Sequence, residues 1–179
     1  GLSIPLGVWA ARRARKWDGV AITVLSQIGI AIPSFLAAIL LVAWFAVRLK
    51  WVPANGWSVP SEDFGGFVAR LVLPVISLGI VQAAIMTRYV RSAVLDVMDE
   101  DFMRTARAKG LSPGQALMAH GLRNAALPVL TVTGLQITNL LIGAVVIEKV
   151  FVIPGLGSML LQAVTDRDLP TVQTIVMVL

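Results

Sequence analysis

Residues 124–147 read NAALPVLTVTGLQITNLLIGAVVI, a run without one charged side chain. A helix needs roughly 20 apolar residues to cross the ~30 Å of a bilayer's hydrocarbon, and this run is long enough. Working outward, Gly19 to Val47 and Leu71 to Thr87 are likewise free of charge. The chain of 179 residues is 57% hydrophobic and 14% charged, with a mean hydropathy of +0.83. Ordinary soluble domains are about 45–50% apolar and about 25% charged. Here the apolar residues are gathered into runs, as a lipid solvent requires.

The fold class that follows is all-α: a polytopic membrane helical bundle forming one transmembrane domain over residues 1–179. Its spans are expected at about 20–47, 71–90 and 124–147. GLSIPLGVWA (1–10) reads as the last turns of a helix that begins elsewhere, and LPTVQTIVMVL (169–179) as the first turns of one cut short. The chain is therefore expected to be a fragment of a longer polypeptide, lacking N-terminal and C-terminal helices.

Lys and Arg collect in cytoplasmic loops, so their distribution gives orientation. Residues 11–18 carry four basic side chains against one acid, and segment 88–123 carries six against four. Residues 48–70 have three basic and two acidic side chains, with Trp44, Trp51 and Trp57 placed like an interfacial aromatic belt, and 148–168 have two against three. Loops 11–18 and 88–123 are thus expected on the cytoplasmic side, and 48–70 and 148–168 outside. The net charge of +5 flanks apolar runs instead of forming one patch, which argues against nucleic acid as a partner. With no Cys and a single His, neither a disulfide framework nor a conventional zinc site is available.

Segment 88–123 is longer than orientation alone requires. In MDEDFMRTARAKG the acids Asp99, Glu100 and Asp101 precede Arg104, Arg107 and Lys109, which complements a helix macrodipole over roughly 99–109. Phe102, Met103 and Ala106 form one apolar face. Gly110 falls where a left-handed residue ends a helix. Ser112-Pro113-Gly114-Gln115 then restarts one, with Ser as N-cap, Pro at the first position and Gln three residues on as in a capping box. That second helix is expected over about 113–126, stopping at Pro128. A helix, a glycine hinge and a second helix make a compact shape suited to docking in another protein's cleft.

TARAKGLSPGQALMAHGLRNAALPVLTVTGLQ resembles the cytoplasmic EAA loop of ABC-importer permeases, in the form of the dipeptide/oligopeptide/nickel branch. VIEKVFVIPGLGSMLLQAVTDRDLPTVQ resembles the same branch further on, through Pro154–Gly157 and Arg167-Asp168-Leu169-Pro170. IGIAIPSF (28–35) and residues 70–98 fit as well, so the resemblance covers nearly the whole chain. Against the general family pattern, Glu-Ala-Ala falls on Arg104, Thr105 and Ala106, so only Ala106 and Gly110 agree. The stretch to Leu127-Pro128 is also longer. Both departures are typical of this branch, and they leave open whether Arg104 takes over the role of the family Glu.

The resemblance implies a type I ABC importer transmembrane domain in the inner (cytoplasmic) membrane. It implies a second permease subunit, two ATPase domains that carry the ATP and Mg, and an extracytoplasmic substrate-binding protein. No cofactor is expected on this chain. The loop would be the coupling helix, with Asp101, Arg104, Thr105, Ala106, Arg107, Lys109, Gly110 and Leu111 at the ATPase. Ala106 and Gly110 would be small so that backbones approach closely, and Arg107 and Lys109 would pair with ATPase acids. The cargo would be peptides or a related small solute such as a nickel complex.

In the span 124–147, Gln136, Asn139 and Gly143 lie on one face. They either line the translocation path or bind helices together. Pro33 and Pro74 are expected in structural roles, Glu148 and Lys149 at the surface, and residues 156–165 as a short re-entrant or interfacial helix. The sequence has no GxxxxGK[ST], so it has no phosphate cradle of its own and is not expected to be an enzyme. HExxH and GxSxG do not occur either. An ion-gradient secondary transporter or channel subunit is the alternative, but ion coupling calls for ionisable residues inside the spans, and the three runs have none. A membrane anchor whose loop recruits a soluble partner would explain the loop but not the polar stripe.

Overall fold

The computed structural model describes residues 1–178, and among them every regular element is helical. The elements are α1 (Ser3–Arg12), α2 (Trp17–Ala31), α3 (Ser34–Leu41) continued by a π-helical turn (Val42–Arg48), α4 (Phe64–Met98) and α5 (Asp101–Ala108). They continue with α6 (Pro113–Ala116), a second π-helical turn (Leu117–Gly121), α7 (Leu122–Phe151), α8 (Leu156–Thr165) and α9 (Leu169–Val178). Two uninterrupted helices are long and apolar enough to cross a membrane, Phe64–Met98 and Pro113–Phe151. A third span exists if α2 and the helix from Ser34 count as one broken crossing.

Prolines decide where these helices break and where they do not. At Pro33 the ladder stops at Ala31 and resumes at Ser34, with Pro33 extended at φ −60°, ψ 143°. Proline has no N–H to give, and it pushes the residue before it out of the helical region. Pro74 lies inside α4 without ending it. One turn on, the hydroxyl of fully buried Ser77 donates to the Pro74 carbonyl at 2.8 Å, adding a hydrogen bond to the backbone around the proline.

Pro128 corrects an expectation: the helix that begins at Pro113 does not stop there but runs on to Phe151. In hydrocarbon an interrupted helix leaves several backbone groups unpaired, whereas an internal proline leaves one carbonyl short of a donor. Continuity is therefore the smaller cost.

The chain forms two compact units. The first comprises Gly1–Ala31 and Gln82–Gln136. Its core is built from small and medium side chains: Ala11, Val90, Ala93, Val94, Met103, Ala106, Ala116, Leu117 and Ala125. Small residues let helix axes approach. A Cβ on Gly7 would stand 2.6 Å from the Val90 side chain, and one on Gly29 would stand 2.8 Å from Ala84, so α1 and α2 both lie close against α4.

The second unit comprises Ile32–Val81 and Ile137–Leu179, around Ala38, Leu73, Ile147 and Phe151. Here the structure explains both motifs of its C-terminal segment. A Cβ on Gly155 would collide with the Glu148 carboxylate, which instead accepts the Ser158 N–H at 3.0 Å. Glu148 thus caps the start of α8 and is half-buried, where surface exposure was expected. A Cβ on Gly157 would meet the Val145 side chain at 2.6 Å and its Cα at 2.8 Å, so α8 lies directly on α7.

Arg167 takes a positive φ of 58°, and Asp168 then caps α9. The Thr171 N–H donates to Asp168 Oδ1 at 3.3 Å and the Thr171 hydroxyl to Oδ2 at 2.5 Å. These bonds hold the Asp168 carboxyl below the usual carboxylate range.

Two outcomes follow. Gly157→Val forces backbone apart at Val145, so its cost is of the order of overpacking, about 1–3 kcal/mol, read as a lower Tm of the full-length protein in detergent. Because the folded pKa of Asp168 is depressed, its contribution is present above the ordinary Asp value of about 3.9 and is lost as pH falls through the folded value. Asp168→Asn should therefore lower Tm at pH 7 but leave it nearly unchanged at the acid end of the transition.

Candidate partner-docking loop

The loop between α4 and α7 is anchored by one face and open on the other. α5 starts after Glu100, in extended conformation at φ −68°, ψ 150°, with Asp101 in its first turn and Arg107 in its last. Met103 is 2% exposed and Ala106 7%, both within the first unit's core, while Arg104, Thr105, Arg107 and Lys109 are exposed. Burying a Met and an Ala fixes the helix against its own domain. The outer face keeps Phe102 37% exposed beside these polar groups.

The end of α5 is a Schellman motif. Gly110 N–H donates to the Arg107 carbonyl at 3.0 Å and Leu111 N–H to the Ala106 carbonyl at 3.3 Å, the paired bonds that close a helix through a left-handed residue. Gly110 supplies that residue at φ +94°. Nothing lies within 4 Å of where its Cβ would stand. Within the chain, backbone conformation and not lack of space demands glycine here.

Two residues later the chain restarts as the motif predicts. Ser112 accepts the Gln115 N–H at 3.4 Å, the Gln115 side chain accepts the Ser112 N–H at 3.0 Å, and Pro113 takes the first helical position. The helix then widens into a π-helical turn over Leu117–Gly121, with the Leu122 N–H bonded back to the Leu117 carbonyl. Such turns shift side-chain register and occur often at functional sites.

Between these two arms lies an open groove of about 590 Å³, lined by Phe102, Thr105, Lys109, Leu111, His120 and Arg123, among others. No acidic residue lines it, so it offers cations with an apolar floor. Sequence reading placed Thr105, Lys109 and Leu111 in the loop but did not single out His120, Arg123 and Asn124 as a site. Their i, i+3, i+4 spacing was the available signal.

Of the expected contact residues, Arg104 and Asp101 pair with each other at 3.2 Å, both largely exposed. Such an i, i+3 pair contributes only about 0.2–0.5 kcal/mol. Thr105 donates to the Asp101 carbonyl at 3.0 Å. Arg107 Nε donates to the Met103 carbonyl one turn back in α5, at 3.3 Å. Ala106 points into the chain's own core, so its small size serves packing within the chain.

Gln136, Asn139 and Gly143 all lie on α7. The Gln136 carbonyl accepts from Gln82 Nε2 at 3.2 Å and its residue is half-buried, whereas Asn139 is exposed. Leu78 Cδ2 stands 3.3 Å from where a Gly143 Cβ would be.

With the helical membrane fold and this loop in place, the comparison with known families is direct. The model of the binding-protein-dependent transport system inner membrane component family matches residues 3–179, and the chain belongs to that family of multi-pass inner-membrane proteins. It is 40% identical over 179 residues to the oligopeptide transport system permease protein AppB of Bacillus subtilis, covering 99% of this chain and 57% of that protein. It is 41% identical over 167 residues to the dipeptide transport system permease protein DppB of the same organism, covering 93% and 52%. It is 43% identical over 173 residues to a putative peptide transport system permease protein of Brucella suis, covering 96% and 55%. The chain therefore spans about half the length of these curated relatives.

If φ and not space fixes Gly110, then Gly110→Asn, which tolerates the left-handed region, should be milder than Gly110→Val, whose branched side chain pays about 1–2 kcal/mol there. Hydrogen exchange at Gly110 and Leu111 in the full-length protein reads the difference: faster in the Val variant, close to wild type in the Asn variant.

Proposed function

We propose that this chain is part of a permease subunit of an ATP-driven importer, carrying peptides or a related small solute such as a nickel complex across the cytoplasmic membrane. The observation that carries the reading is the two-armed loop, built rigidly on its own core yet presenting an exposed cationic groove. It sits in a chain that belongs to the binding-protein-dependent permeases and whose relatives are named for peptide transport.

In this reading the spans are 20–47, 71–90 and 124–147. Loops 11–18 and 88–123 face the cytoplasm, and 48–70 and 148–168 the outside. Residues 99–113 dock on the ATPase subunit, which holds the ATP and Mg. Asp101, Arg104, Thr105, Lys109, Gly110 and Leu111 belong to the contact, with Lys109 meeting acidic side chains in company with Arg123. Arg107 likewise pairs with acids of the ATPase, and Ala106 acts by holding α5 in place.

Closure of two ATPases would push on α5, and because Met103 and Ala106 are seated in the core shared with Val90 and Val94 of α4, the displacement passes to a helix that crosses the membrane. Packed elements of this kind move between discrete states. A second permease subunit and an extracytoplasmic binding protein complete the assembly. The face of Gln136, Asn139 and Gly143 on α7 belongs to the solute path. The gradient-driven alternative gains nothing from the loop, since a secondary transporter needs no docking lever.

The test uses the absence of native cysteine. A full-length protein carrying Leu111→Cys is treated in native membranes with a thiol-to-amine crosslinker, and the captured partner is identified by mass spectrometry. The expected product is a Walker-motif ATPase, with uptake and substrate-stimulated ATP hydrolysis falling about tenfold or more in Lys109→Glu/Arg123→Glu, as loss of two interfacial charge pairs would give. No ATPase capture at a site that a maleimide reaches would sink the reading.

A further inference from the structure

In the first unit a small cavity of about 180 Å³ opens between α2 and α4. Thr23, Ser26 and Gln27 line it from α2, and Thr87, Arg88 and Arg91 from α4, and every lining residue is polar or charged. The i, i+3, i+4 and i, i+1, i+4 spacings put each set on one helix face. The close approach of Gly29 to Ala84 holds the two faces together from below.

The cavity is electrostatically incomplete. It contains two guanidinium groups and no acid. Among the described residues, the ion pairs are Arg13 with Asp18 and Arg104 with Asp101, so neither Arg88 nor Arg91 has one. Arg91 Nε is fully buried and without a hydrogen-bond partner. Ser26 and Thr23 already donate their hydroxyls to the Ile22 and Gly19 carbonyls, and of the other lining groups only the arginines carry charge. A buried N–H of a charged group left unpaired costs free energy that native structures recover from a ligand or an ion.

The depth of the cavity is fixed by the sequence. Arg88 is the first charge after the uncharged run 71–87, so the site lies where α4 leaves the hydrocarbon and enters the headgroup layer. Its volume is below the roughly 300 Å³ at which pockets for drug-sized ligands begin, so it takes one small anionic group.

We infer that this cavity binds the phosphate of a phospholipid headgroup, held by the guanidinium groups of Arg88 and Arg91. Arginine's fork matches a phosphate in two parallel hydrogen bonds, and acyl chains would follow the apolar flank of α2. A lipid fixed at this point would tie α2 to α4 at the membrane surface.

The purified full-length transporter, with its partner subunits, is delipidated and then exposed to vesicles of phosphatidylglycerol or to inorganic phosphate alone, and bound lipid is counted by native mass spectrometry. The expected result is retention of phosphatidylglycerol that drops about tenfold in Arg91→Gln and also falls in Arg88→Gln, at an exposed position. Arg15→Gln, a loop variant outside the cavity, should retain lipid like wild type. Unchanged retention in both cavity variants overturns the site. Binding of inorganic phosphate with no retained lipid overturns the lipid assignment in favour of a free anion. A density map of the assembled transporter with another subunit's carboxylate in the cavity overturns it in favour of an intersubunit ion pair.

Discussion

The long apolar helices answer to one constraint: in hydrocarbon, each backbone N–H and C=O must find its partner within the same helix. Three uncharged runs are enough to impose it, and the prolines show how it is enforced. Where Pro33 interrupts the ladder, the break is complete and two helices flank it. Where Pro74 and Pro128 fall inside long apolar segments, the helix continues through them. The helices also present far more apolar surface than the chain itself covers. Only 6% of the most apolar window of Pro113–Phe151 is buried within it, and the rest must meet lipid or other helices.

The loop between α4 and α7 obeys different physics, because water can satisfy its backbone. Its rigidity comes from helix termini that close on themselves: a Schellman motif at Gly110, a capping box at Ser112, and two inward side chains, Met103 and Ala106. The division of labour along eight residues is sharp. Every third or fourth position is committed to the interior, and the positions between are free to recognise something else. This is how a short helix can be both a structural part of one protein and a contact surface for another.

The second unit reaches similar ends with carboxylates. Glu148 caps α8 and Asp168 caps α9. Glycines at 155 and 157 leave the space these arrangements need. The two motifs that mark this segment are thus first of all instructions for turning the chain twice in quick succession.

Much of this was legible in the sequence. Charge-free runs give the helical membrane class, since nothing else spans lipid without a closed barrel. The order of acids, cations, glycine, serine and proline gives the two arms of the loop, because capping chemistry is local and depends on residues within one turn. The motifs also carried the family, which the comparisons show. Only the tertiary structure could decide which neighbours share a face in space. It turned Ala106 inward, carried α7 past Pro128, gave Glu148 a partner ten residues away, and left the Arg91 Nε buried without one. These outcomes depend on contacts between residues far apart in the chain, and no local pattern encodes them.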